Sequence, residues 1–107
     1  MFTRTIELNL KPNMKPEFFK KFKAEVWPIL KKTPGFFDLV LLENETEINK
    51  IFALSFWETK KNAEYWEKEW YPKVKAMIEP FFHTPPVVKY YTVEETFSEK
   101  LFTKMMV

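Results

Sequence analysis

Ile51-Phe52-Ala53-Leu54-Ser55-Phe56-Trp57 carries an apolar side chain at six of its seven positions. The run is short, rich in ring-bearing residues and preceded by the polar stretch Glu43-Asn44-Glu45-Thr46-Glu47, which reads as a strand following a turn. Alternation places Ile51, Ala53 and Trp57 on one side and Phe52, Leu54 and Phe56 on the other, with only Ser55 breaking the pattern. A strand that is apolar on both faces needs cover on both.

Working outward, Phe36 to Glu43 is rich in strand formers and pairs with this run as a hairpin. Thr5 to Leu10 alternates with period two and predicts a first strand, with Ile6, Leu8 and Leu10 on one face and Thr5, Glu7 and Asn9 on the other. From Pro16, Phe19, Phe22, Val26 and Ile29/Leu30 recur at helical spacing up to Thr33-Pro34-Gly35. Pro28 lies inside that helix without an N–H to donate, so a kink or a short second segment is expected there.

After Thr59, a suitable N-cap, the residues Ala63, Trp66, Trp70, Val74, Met77 and Phe81 form one stripe of a second helix that Pro72 should bend. Thr84-Pro85-Pro86 leads into a fourth strand, Val87 to Glu94. The two halves echo each other, Trp27-Pro28 against Tyr71-Pro72 and Pro34 against Pro80. The order predicts an α+β, ferredoxin-like βαββαβ fold: a four-stranded antiparallel sheet with two helices on one face. One domain is expected over residues 1–107, with a core at about residues 3–94 and an apolar tail, 95–107, that packs on a partner subunit. The uncovered sheet face is then a binding surface if Phe52, Leu54 and Phe56 lie on it.

Composition removes much familiar chemistry. With no Cys, one Gly and one His among 107 residues, thiolate metal sites, cysteine nucleophiles and Gly-rich phosphate loops are excluded, and no metal site is expected. A net charge of +2 is too small for a dedicated nucleic-acid binder. RNA-recognition modules share this strand and helix order, but Ile51 stands at their glycine position and Ile6 where a stacking ring belongs, so no nucleic-acid partner is predicted. No apolar run is long enough to span a membrane and no export signal is visible, so no membrane partner and a cytoplasmic location are expected.

The stretches Phe56-Trp57-Glu58-Thr59, Asn62-Ala63-Glu64-Tyr65-Trp66, Tyr71-Pro72, Ile78-Glu79-Pro80 and Pro85-Pro86-Val87, with Pro34-Gly35-Phe36, resemble the antibiotic biosynthesis monooxygenase-like proteins of the dimeric α+β barrel superfamily. The resemblance implies a homodimer closed through the open sheet faces, a small aromatic ligand, and oxygenation of a phenol or quinol without any cofactor. The alternative it leaves is a non-catalytic dimeric small-ligand-binding or assembly module of the same fold. Its haem-degrading branch is not implied, because Ala76 stands where that branch has its iron-ligating His and Ile6 where it has an Asn.

Within that frame His83, the single histidine, is the candidate general base, its plainer reading being a solvent-exposed loop histidine. Trp57, Trp66, Trp70 and Tyr65 are candidates to line a slot for a planar substrate, although Trp66 and Trp70 equally suit a helix-to-sheet core. Glu7 and Asn9 are polar residues on a strand that should be covered, and fit either a site or a wet interface.

Overall fold

The computed structural model describes residues 1–99. β1 (Phe2–Asn9) leads to α1 (Lys15–Lys21), a π turn (Phe22–Val26) and α2 (Trp27–Leu30), which together make the first helix. β2 (Phe36–Glu43) and β3 (Lys50–Trp57) form the hairpin. The second helix runs through α3 (Lys60–Tyr65), a π turn (Trp66–Trp70), α4 (Tyr71–Ile78) and a 3-10 turn (Glu79–Phe81), and β4 (Val87–Thr92) completes the sheet. All strand pairs are antiparallel, in the order β2-β3-β1-β4. This is the ferredoxin-like α+β arrangement, with both helices on one face of the sheet.

The expected kinks take a specific form. Trp27 N–H donates to the Phe22 carbonyl and Tyr71 N–H to the Trp66 carbonyl, each five residues back, immediately before Pro28 and Pro72. A π turn holds one residue more than an α turn of the same rotation. Phe18 and Val26 are eight residues apart and both buried, as are Trp66 and Val74. In an unbroken α-helix that interval overshoots two turns by about 80°. The extra residue in each π turn absorbs the overshoot and keeps Leu30 and Ile78 in phase with the core as well.

β1 starts at Phe2, three residues earlier than its alternation from Thr5 suggests, and its inward set is Phe2, Arg4, Ile6 and Leu8. In β3 the inward set is Ile51, Ala53, Ser55 and Trp57, all buried, leaving Phe52, Leu54 and Phe56 on the uncovered face. Val40, Leu42, Phe52, Val87 and Tyr91 lie on that face, exposed by 38 to 50%. Thr3 and Thr5 share it yet are buried, flanked across the strands by Phe56 and Tyr91, and by Leu54 and Lys89.

The connections follow from local chemistry. Asn44 Oδ1 accepts from the N–H groups of Thr46 and Glu47 and closes the hairpin turn. Gly35 has φ +78°, and a Cβ there would lie 2.1 Å from Asn62 Cγ, so only glycine joins α2 to β2 at this point. Thr59 caps the second helix as expected, its Oγ1 accepting from Asn62 N–H. No described helix is long and apolar enough to cross a membrane. Of the apolar tail, Phe97 is fully exposed, while Leu101, Phe102, Met105, Met106 and Val107 lie outside the described residues.

Candidate functional site

Between the two helices and the inner sheet face lies a cavity of about 50 Å³. That is space for a few water molecules in the uncomplexed chain. Aliphatic and phenylalanine side chains from both helices and from β1, β2 and β3 make most of its wall, and Arg4, Ser55, Trp66 and Tyr71 are the other groups in it. Phe22, Leu39, Leu41 and Tyr71 are the half-buried members of the lining, so solvent reaches the cavity past them. Both π turns border it: Phe22 and Val26 come from the first, Trp66 from the second, and Tyr71 follows directly.

Arg4 gives the site its charge. Its place in the inward set of a central strand leaves it 4% exposed, between Ser55 on β3 and Tyr90 on β4. A buried cation is tolerated only when paired. Arg4 Nε donates to Glu67 Oε2 at 2.7 Å, and the guanidinium carbon sits 4.2 Å from the centre of the Tyr71 ring. Glu67 lies within the second π turn and is one-third exposed. Arg4 Nη2 and Tyr71 Oη are nevertheless buried without a hydrogen-bond partner. Such groups are rare, and the groups nearest to satisfying them are each other and Tyr90, since Arg4 interacts with the hydroxyls of both Tyr71 and Tyr90.

Burial pushes the Tyr71 hydroxyl above its ordinary value, with Arg4 pulling against that and Glu67 adding to it. Tyr90 is raised by burial and then by Glu67. Tyr71 therefore keeps its proton at neutral pH and serves the cavity as a donor, not as a base. Ser55 settles the polar demand behind it: its hydroxyl donates to the Arg4 carbonyl at 3.1 Å and accepts from Trp57 Nε1–H at 2.9 Å. That is the physical reason for the single polar residue in an otherwise apolar run.

Of the residues singled out from the sequence, the structure brings Trp66 to the cavity wall. Trp57 lies behind it, fully buried, with the two rings 6.0 Å apart. Trp70 is half-buried under Lys73 and borders a surface groove with Tyr65, which is 46% exposed. Glu7 and Asn9 belong to the set of β1 that faces the uncovered side of the sheet, away from the cavity. His83 is exposed beyond the 3-10 turn; its main-chain N–H donates to the Asn9 carbonyl, and it is not part of the cavity lining. Among the described residues no three His, Asp or Glu side chains are grouped to hold a metal ion.

Arg4, Tyr71 and Glu67 were not singled out by sequence reasoning. The signal for Arg4 was present: extending the alternation of β1 back through Arg4 to Phe2 puts a guanidinium in the apolar set.

The sequence profile described as antibiotic biosynthesis monooxygenase matches residues 1–79, most of the chain. The chain belongs to the antibiotic biosynthesis monooxygenase family. No protein of curated function has a matching sequence. Solved structures of the family share its fold at low identity. A mutant of SnoaB, a cofactor-independent oxygenase from Streptomyces nogalater, superposes with a TM-score of 0.76 at 16% identity, covering 92% of this chain and 97% of that one. The ActVA-Orf6 monooxygenase of Streptomyces coelicolor, in complex with nanaomycin D, gives 0.75 at 13%, covering 91% and 90%. A family member from Caulobacter crescentus gives 0.75 at 19%, covering 88% and 90%.

Proposed function

We propose that this family member is a cofactor-independent monooxygenase acting on a small phenol- or quinol-type aromatic held in the cavity between helices and sheet. The observation that carries the reading is the pair of buried, unpartnered donors, Arg4 Nη2 and Tyr71 Oη, at the wall of an otherwise apolar cavity beside Trp66. The uncomplexed cavity is too small for a ring, so a ligand enters only if the half-buried Phe22, Leu39 and Leu41 turn aside; its ring then packs against the apolar wall and its oxygen accepts from the two donors. As the phenolic proton moves towards the dioxygen atom that will leave as water, partial negative charge grows on that oxygen, where the two donors stabilise it, and the ring so enriched gives its electrons to dioxygen.

For a phenol with a free para carbon the balance closes without a second reductant. One oxygen atom of O2 bonds to the para carbon to give the quinone. The other leaves as water with the phenolic proton and the ring hydrogen, and the substrate supplies all four electrons. With His83 outside the lining, the reading gives it no part as a base. The names of the relatives, a cofactor-independent oxygenase and a monooxygenase bound to nanaomycin D, support the same chemistry.

The cavity lining contains no carboxylate, histidine or lysine, and this favours a second reading, a non-catalytic binder of the same ligands. Oxygen uptake with a panel of naphthols and quinols, followed by 18O2 labelling of the product, separates the two. Catalysis predicts uptake above the uncatalysed rate, one labelled oxygen per quinone, and a fall in turnover of about 10² or more in Arg4→Met. Tight binding with no uptake supports the binder instead.

A further inference from the structure

The charge of Arg4 is balanced by Glu67, yet the bond that balances it uses only Nε. Nη2 is buried and makes no close hydrogen bond, although Arg4 interacts with the hydroxyls of Tyr71 and Tyr90. The ring of Tyr71 covers one face of the guanidinium at 4.2 Å, so the edge carrying Nη2 is the part left for a ligand. The cavity thus offers donors but no net charge, in surroundings that are apolar elsewhere. We propose that Glu67 is the specificity-determining residue of the cavity: by neutralising Arg4 from behind, it tunes the site to an uncharged phenol or carbonyl oxygen and rejects carboxylates of the same shape. This rests on the reading of the cavity as a ligand site and names the class of ligand it takes.

The discrimination is electrostatic. A neutral oxygen accepts from Nη2–H and from the Tyr71 hydroxyl and adds no charge. A carboxylate would satisfy the same donors but would place a second anion beside Glu67, in an interior where water screens poorly. A phenol enters uncharged and brings its own proton, whereas a carboxylate brings a charge the site has already balanced. Glu67 touches Arg4 and acts on the ligand through it, so it is a positioning residue.

Binding of 1-naphthol and of 1-naphthoate, two probes of nearly the same shape, is measured by quenching of tryptophan fluorescence in the wild type and in Glu67→Gln. The wild type is expected to bind naphthol about tenfold more tightly than naphthoate or better, the difference a charge-assisted contact makes. Glu67→Gln, near-identical in shape, is expected to reverse that preference, because a buried cation then lacks its counter-charge. Equal binding of the two probes by the wild type overturns the proposal, with no variant needed. An unchanged ratio in Glu67→Gln of native circular dichroism overturns it as well, while leaving the cavity as a ligand site. If the wild type binds neither probe, the cavity reading falls and this inference with it.

Discussion

Tyr71 shows how a single hydroxyl separates stability from function. Its Oη is buried without a partner, so the folded chain forgoes a hydrogen bond that the unfolded chain makes with water. Tyr71→Phe removes that debt and should stabilise the protein by about 1 kcal/mol in chemical denaturation. The same variant loses one of the two donors at the cavity wall, and binding of 1-naphthol should weaken by about tenfold. The pH dependence has a definite sign. Burial raises the Tyr71 value in the folded state above its unfolded value of 10.0. Above pH 10 the unfolded chain releases this proton first, so stability falls as pH rises from there towards the folded value, and it is fully present below. Tyr71→Phe should make that alkaline decline shallower, with the slope due to Tyr90 remaining. A decline equally steep in wild type and variant would show that Tyr71 has no share in it.

The π turns are the element-scale device. Between Trp66 and Val74 the chain carries one residue more than α geometry allows for two inward-facing positions. Deleting the exposed Lys68 shortens the step between them to seven positions, within about 20° of two full turns, so the helix regularises and the fold should persist. Inserting one alanine after Lys68 should instead turn Val74 and Ile78 out of the core by about 100°. Each of those burials contributes about 2 kcal/mol, so the insertion should abolish cooperative thermal unfolding while the deletion retains it. The hairpin and the Thr59 cap were legible in the sequence because each rests on local periodicity or a single side chain, whereas the helical stripes were legible only in part: the π turns shift the phase, so Phe18 and Ile78 are buried outside the expected sets while Phe22, Trp70 and Met77 are only half-buried. Proline announced an interruption at positions 28 and 72, but its form depended on where Val26 and Val74 had to point. That is a tertiary demand. The outward set of β3 was hidden for the opposite reason: both alternating sets are apolar, and only packing of the helices against Ile51, Ala53 and Trp57 distinguishes them. Arg4 escaped notice because the strand was read from Thr5, and Glu67 because its partner lies 63 residues away in sequence.

At the scale of the whole molecule, the uncovered sheet face is too apolar to be left in water, with Val40, Leu42, Phe52, Val87 and Tyr91 all substantially exposed. We propose that a second copy covers it, in line with the dimeric barrels that the sequence resembles. Light scattering should give twice the chain mass for the wild type. Phe52→Lys combined with Leu42→Lys, both outside the cavity wall, should give a folded monomer. A wild-type monomer at micromolar concentration would refute this. The position of β1 has a separate consequence. It pairs with β3 on one side and β4 on the other, and the Val93 N–H closes on the Met1 carbonyl. β1 leaves the ribosome before β3 and β4, so it waits for β4 before both its edges are bonded. Until then the nascent chain exposes a sticky ribbon edge, and its collapse is governed by distant pairings, which makes assembly slow and open to chaperone capture.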